Sequence, residues 1–184
     1  MPEKGPHLAI EAAKQANISL VLAGTIDRHV KESVSYFHDI IEPQVDNDQI
    51  KYIGPVNARQ KASLLGGARG FLNPIEWEEP FGMVMVEAMA FGCPVISFER
   101  GAVPEIIAHG KTGFLVQNLA EMIQYIPRID EIARNTLPTY VEQNFSARVM
   151  AQNYEQVYKK VIRMKKGKAT SRTSVPAERA LLLA

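Results

Sequence analysis

The absences come first. A single cysteine, Cys93, stands in the 184 residues, which excludes an intrachain disulfide and any multi-cysteine metal centre and suits a reducing compartment. No apolar run reaches the roughly 18 residues of a membrane-spanning helix. The start, Met1-Pro2-Glu3-Lys4-Gly5-Pro6-His7, has neither an apolar core nor a small-residue cleavage site and does not read as a secretory signal. The expected location is therefore cytoplasmic. His7, His29, His38 and His109 show no metal-ligand spacing, and no acid or base role follows for them.

Large charge of one sign is also lacking, since the net charge is +1. That near-neutrality hides a division. Residues 1–158 carry 13 Lys and Arg against 19 Asp and Glu, a net −6, and residues 159–184 carry 8 against 1, a net +7. An acidic body argues against a nucleic-acid partner, because phosphate binding needs a cationic face. The basic end has two readings: a solvated helix terminus, or peripheral contact with an anionic membrane.

What is present is ordinary for a globular chain, with 46% apolar and 22% charged residues. The length suits one well-cored domain, drawn over 1–166, with 167–184 expected to be a disordered basic tail. Short apolar runs alternate with helical periodicity. Strands are predicted at Ile18–Ala23, Ile50–Ile53, Gly70–Leu72, Pro94–Phe98 and Gly113–Val116. Helices are predicted from Leu8 to Ala16, Val30 to Ile41, Arg59 to Leu65, Gly82 to Phe91, Val103 to Ala108 and Leu119 to Ile132, with another through Met150, Tyr154, Val157, Tyr158 and Val161. This alternation implies an α/β fold, a Rossmann-like parallel sheet with helices on both faces.

The stretch that carries chemistry runs from Glu76 to Pro94. It places Glu79 in the loop after a strand and Glu87 inside the following helix, with Gly82 between them at the helix start. In doubly wound sheets, ligands bind at the carboxyl ends of strands, where helix amino termini offer unpaired N–H groups to anions. Carboxylates accept hydrogen bonds from vicinal hydroxyls, so two of them flanking a phosphate site suit a nucleotide sugar.

The string Glu79 to Ile96, with Phe81-Gly82 and Glu87-Ala88-Met89-Ala90-Phe91-Gly92-Cys93-Pro94, resembles the carboxy-terminal donor-binding domain of retaining group 1 (family 4) glycosyltransferases of the GT-B fold. Lys4-Gly5, Leu22-Ala23-Gly24, Ile53-Gly54-Pro55-Val56, Gly101-Ala102-Val103-Pro104-Glu105 and Gly110-Lys111-Thr112-Gly113 fall in the family's order, so the resemblance covers about residues 3–160. It implies that Glu79 meets the donor sugar's hydroxyls and that Glu87 binds the ribose. The backbone of Phe81, Gly82 and Met83 would approach sugar and diphosphate, and Gly54, Pro55 and Val56 would lie near the base. Lys4 would neutralise the departing diphosphate. No cofactor and no essential metal are implied. The partners implied are a nucleoside-diphosphate sugar and an unknown acceptor.

The family also has an amino-terminal acceptor domain, and a strand ending in arginine just before its lysine, neither of which precedes Lys4 here. The expectation is a donor-binding half, as a fragment, a truncated reading frame or one part of a split enzyme, completed by an amino-terminal domain or partner chain. In a sheet of order 3-2-1-4-5-6, that first strand separates the Ile18–Ala23 and Gly70–Leu72 strands, which would otherwise leave a slot or pair directly. The alternative function is a non-catalytic nucleotide-sugar binding module; a flavodoxin-like regulator would give no reason for Glu79 and Glu87.

Three features have plainer readings. Asp46-Asn47-Asp48 imitates a metal-binding D-x-D but sits in a polar turn before a strand. Cys93 before Pro94 reads as a small buried residue. Trp77 suits either packing or the wall of a sugar pocket.

Overall fold

The structure, a computed structural model, describes residues 1–170, with the backbone alone over 166–170. Pro6 opens helix α1 (Pro6–Gln15), where its missing N–H costs nothing, and the helix buries Ala9, Ile10, Ala12 and Ala13. Strand β1 (Leu20–Leu22) pairs in parallel with β2 (Ile50–Tyr52), Leu20 opposite Ile50 and Leu22 opposite Tyr52. Under them Ile10, Ala13, Ile41 and Ile50 form one buried cluster, with Leu20, Leu22, Tyr36 and Phe37 packed against it.

A second parallel sheet has the order β3 (Phe71–Asn73), β4 (Val95–Phe98), β5 (Gly113–Val116). All four residues of β4 are buried, as a strand covered on both faces requires. Helices α3 (Ala58–Gly67), α4 (Met83–Ala90), α5 (Val103–Ile106) and α6 (Leu119–Tyr125) complete the alternation. The α/β fold with parallel strands flanked by helices is as expected, but hydrogen bonding among the described residues divides the strands into two sheets. β1 and β3 do not pair. Their residues instead line a shared cavity of about 1000 Å³.

Departures from the sequence reading have local causes. The helix expected over Val30–Ile41 is α-helical only at α2 (Lys31–Tyr36), followed by a π-turn at Phe37–Ile41 and a 3-10 turn at Glu42–Gln44. α6 stops at Tyr125 and a 3-10 stretch runs Ile126–Glu131, because Pro127 offers no N–H to continue the α ladder. Helix α7 (Leu137–Phe145) was not expected; Pro138 reads as a breaker but sits in the first turn, where proline is tolerated.

The chain forms two compact units, Met1–Glu142 and a second beginning at Gln143. Helix α8 (Ala147–Thr170) extends into the segment expected to be a disordered tail, and 171–184 lie outside the described residues. On α8, Met150, Tyr154, Val157, Tyr158 and Val161 are exposed. No helix among the described residues is long and apolar enough to cross a membrane.

Candidate functional site

The site is assembled at the carboxyl end of β3. Lys4 closes a 3-10 turn (Pro2–Lys4), and Gly5 follows in the left-handed region with φ 66°. A Cβ on Gly5 would stand 2.0 Å from the carbonyl oxygen of Pro74, so only glycine lets this turn seat against the segment leaving β3. The Glu76 N–H donates to the Glu3 carbonyl at 2.9 Å and fastens the two together. Lys4 is thereby brought to the Pro74–Glu79 loop. Its Nζ donates to Glu79 Oε2 at 3.1 Å and lies 4.3 Å from the centre of the Trp77 ring, within cation–π range. Glu79 is the sheltered partner, with its side chain 13% exposed against 51% for Lys4. Trp77 itself is exposed and serves as a wall for the ammonium.

The loop is braced from behind. Glu78 Oε2 accepts from the Gly101 N–H at 2.6 Å, and the Ala102 N–H donates to the Glu79 carbonyl at 2.8 Å. The turn after β4 thus fixes the backbone of Glu79, while its side chain faces Lys4. Neither contact was foreseen, since Glu78 and Gly101 are 23 residues apart and no local spacing announces them.

Gly82 caps α4 in the left-handed region, φ 80°, a conformation that costs glycine little. It leaves the Met83 and Val84 N–H groups in the first turn, without intrahelical partners, directed as an anion-binding end. Phe81 and Met83 are exposed beside it. Asn73, buried on β3, donates to Ser97 Oγ at 2.9 Å and to Met85 Sδ at 3.4 Å, joining sheet and helix.

Glu87 stands apart from the Lys4–Glu79 pair. Its Oε1 accepts from Lys61 Nζ on α3 at 2.6 Å, both side chains about one-third exposed, at 33% and 38%. Lys61 is a second residue that sequence reasoning missed. It follows a capping box, Asn57 and Gln60 bonding reciprocally, which fixes where α3 starts but not what faces it. Gly54 and Pro55 lie at the carboxyl end of β2, where the Gly54 carbonyl accepts from the Gly24 N–H at 2.9 Å. Val56 lines the cavity together with Lys4, Lys61 and Val84. The predicted residues therefore fall into a Lys4–Glu79 pair beside Trp77, a separate Glu87 whose partner Lys61 was not predicted, and a strand-end segment.

Two plainer readings hold. Asp46 accepts from the Ile50 N–H at 2.8 Å and the Asp48 N–H at 2.9 Å, so its carboxylate closes a turn. No group of three or more His, Cys, Asp or Glu among the described residues is placed to hold a metal ion. Cys93 is fully buried; burial pushes its thiol up to about 11 against the opposing charge of Arg134, the reverse of an activated nucleophile.

Parallel strands, a carboxylate loop braced at a strand end and an open helix terminus define an α/β protein with its candidate site at the carboxyl ends of the strands. Residues 1–162 match the model of the family "Glycosyl transferases group 1", and the chain belongs to that family. It is 29% identical over 174 residues to spore coat protein SA of Bacillus subtilis (strain 168), covering 85% of this chain and 46% of the relative. The structure of Anabaena Alr3699/HepE in complex with UDP-glucose superposes with a TM-score of 0.69 at 25% identity, covering 87% of this chain and 46% of that one. Sucrose-phosphate synthase from Thermosynechococcus elongatus shares the fold, with a TM-score of 0.73 at 24% identity over 89% of this chain and 44% of that chain. The neighbours are GT-B glycosyltransferases. The chain spans somewhat less than half the length of these relatives.

Proposed function

We propose that this chain is the carboxy-terminal, donor-binding half of a retaining family 4 glycosyltransferase and that it binds a nucleoside-diphosphate sugar. The observation that carries the reading is the Lys4–Glu79 contact at 3.1 Å, at the strand end that also presents the first turn of α4. In this reading Glu79 accepts hydrogen bonds from the sugar, the Gly82–Val84 backbone receives the diphosphate, and Glu87, held by Lys61, accepts from the ribose. Gly54, Pro55 and Val56 border the base. Transfer breaks the bond between the anomeric carbon and the diphosphate oxygen and forms one to an acceptor oxygen, whose proton is released, with configuration retained. Lys4 supplies positive charge where negative charge develops on the leaving diphosphate, the role a metal plays elsewhere, and no cofactor is needed.

The binding of UDP-glucose by HepE, named with that structure, supports a uridine nucleotide as the first donor to try. Titration calorimetry of the chain with UDP and with UDP-glucose tests the assignment. Glu87→Gln is expected to weaken both ligands by about 1–3 kcal/mol, the range for a charged hydrogen-bond acceptor. Glu79→Gln should weaken UDP-glucose while leaving UDP nearly unchanged. Parental binding of both ligands by both variants would overturn the site.

The 46% share of its relatives' length keeps a second reading in play, a nucleotide-sugar binding module without transfer activity. Adding a separately expressed amino-terminal half of a group 1 enzyme and following release of UDP in the presence of acceptor separates the two. Transfer supports the enzyme, and binding without transfer supports the module.

A further inference from the structure

Glu87 is the one polar residue of α4 (Met83–Ala90), a helix whose Met85, Ala88 and Met89 are buried. Its Oε1 accepts from Lys61 Nζ at 2.6 Å. With both side chains about one-third exposed, the pair is open to water and adds little to stability. Its geometry is nevertheless fixed from both sides. The capping box of Asn57 and Gln60 sets the start of α3, the Lys61 N–H donates to the Asn57 carbonyl at 2.8 Å, and Leu65, one turn further along the same face, is buried. Lys61 is thereby presented to α4 and to the cavity that it lines together with Val56 and Val84. The contact between the two side chains uses one of three ammonium N–H groups and one of two carboxylate oxygens. A charged donor and a charged acceptor thus stand side by side.

We propose that Lys61 is a specificity-determining residue, which together with Glu87 recognises the 2′,3′-diol of a ribose and restricts the nucleotide to a ribonucleoside diphosphate, with 2′-deoxyribonucleotides rejected. This role rests on the donor reading, in which Glu87 meets the ribose. A hydroxyl is donor and acceptor at once. One O–H of the diol donates to the Glu87 carboxylate, and a lone pair of its neighbour accepts from the Lys61 ammonium, so two adjacent hydroxyls match two adjacent charged groups. A C–H in place of either hydroxyl leaves a charged group that has given up water without a partner, and a site built in this way discriminates strongly against the analogue. The ammonium has a second effect. Standing 2.6 Å from the carboxylate, it offsets the repulsion that Glu87 alone would exert on an incoming diphosphate.

The test is titration calorimetry of the full 184-residue chain with UDP and with 2′-deoxy-UDP, and with ADP and 2′-deoxy-ADP alongside because Lys61 does not select the base. The parent is expected to bind the ribonucleotide at least about tenfold more tightly than its deoxy analogue. Lys61→Met keeps the length of the side chain and removes its donors. In that variant the ratio should fall below about threefold, through loss of ribonucleotide affinity. The ratio is the readout that a merely structural role would not move, since a disturbed α3 would weaken both nucleotides in proportion, and a smaller folded fraction would lower the stoichiometry instead. Equal binding of the two nucleotides by the parent would overturn the proposal. An undiminished ratio in Lys61→Met would also overturn it and would assign the discrimination to Glu87 alone, with the donor reading intact. Binding of neither UDP nor ADP by the parent would overturn the donor reading and the role of Lys61 together.

Discussion

At the scale of single residues, the site rests on contacts between side chains far apart in the chain. Lys4 reaches Glu79 across 75 positions and Lys61 reaches Glu87 across 26. Two carboxylates in one motif are thereby given different cations, one beside an indole ring and one on a neighbouring helix. Cys93 shows the opposite treatment: the thiol is held neutral by burial, at about 11. Because the thiolate is the reactive form, Ellman's reagent at pH 8 is expected to leave the folded chain unmodified and to titrate one thiol per chain after denaturation in guanidinium. Fast modification under native conditions would show Cys93 to be accessible and would remove the reason for its packing role beside α4.

The elements were the most legible part of the molecule, and unevenly so. β5 occupies Gly113–Val116 as read from the sequence, and α4 (Met83–Ala90) lies within the Gly82–Phe91 stretch read as helical, with those two residues as its caps, because glycine punctuates both elements. α7 escaped because Pro138 carries the same signal in a first turn as in a break. In the site, Glu79, Glu87 and Gly82 were legible from their spacing along one loop and helix, and Lys4 through the family resemblance. Lys61 and Glu78 were not, since each acts through a residue on another element and the chain between sets no period. The turn before β2 was legible as a turn, and its chemistry yields a pH dependence. Hydrogen bonds from the Ile50 and Asp48 N–H groups hold the Asp46 carboxyl below its ordinary value of 3.8. A depressed carboxyl stabilises the fold above its unfolded-state value and loses that contribution as pH falls through the folded one. Asp46→Ala should therefore melt below the parent at pH 7, with the gap in melting temperature closing under acid conditions below the usual aspartate range. A gap independent of pH would assign the effect to the lost side chain rather than to its charge.

For the whole molecule the decisive feature is that the Met1–Glu142 unit contains two sheets without a ladder between them. Their stabilities are expected to differ. β1 and β2 make a two-stranded ladder of three residues each, and such a pair owes its persistence to the Ile10, Ile41 and Ile50 cluster beneath it rather than to its own hydrogen bonds. β4 lies between β3 and β5 with every residue buried. Its loss would expose Val95, Ile96 and Phe98 together, at roughly 1.5–3 kcal/mol for each large apolar side chain. Native-state hydrogen exchange should accordingly resolve two tiers. The β4 amides would exchange only through global unfolding. The β1 and β2 amides would exchange through a smaller opening, at least about tenfold faster, which corresponds to a difference near 1.4 kcal/mol. Uniform exchange across both sheets would show that packing between helices already couples them.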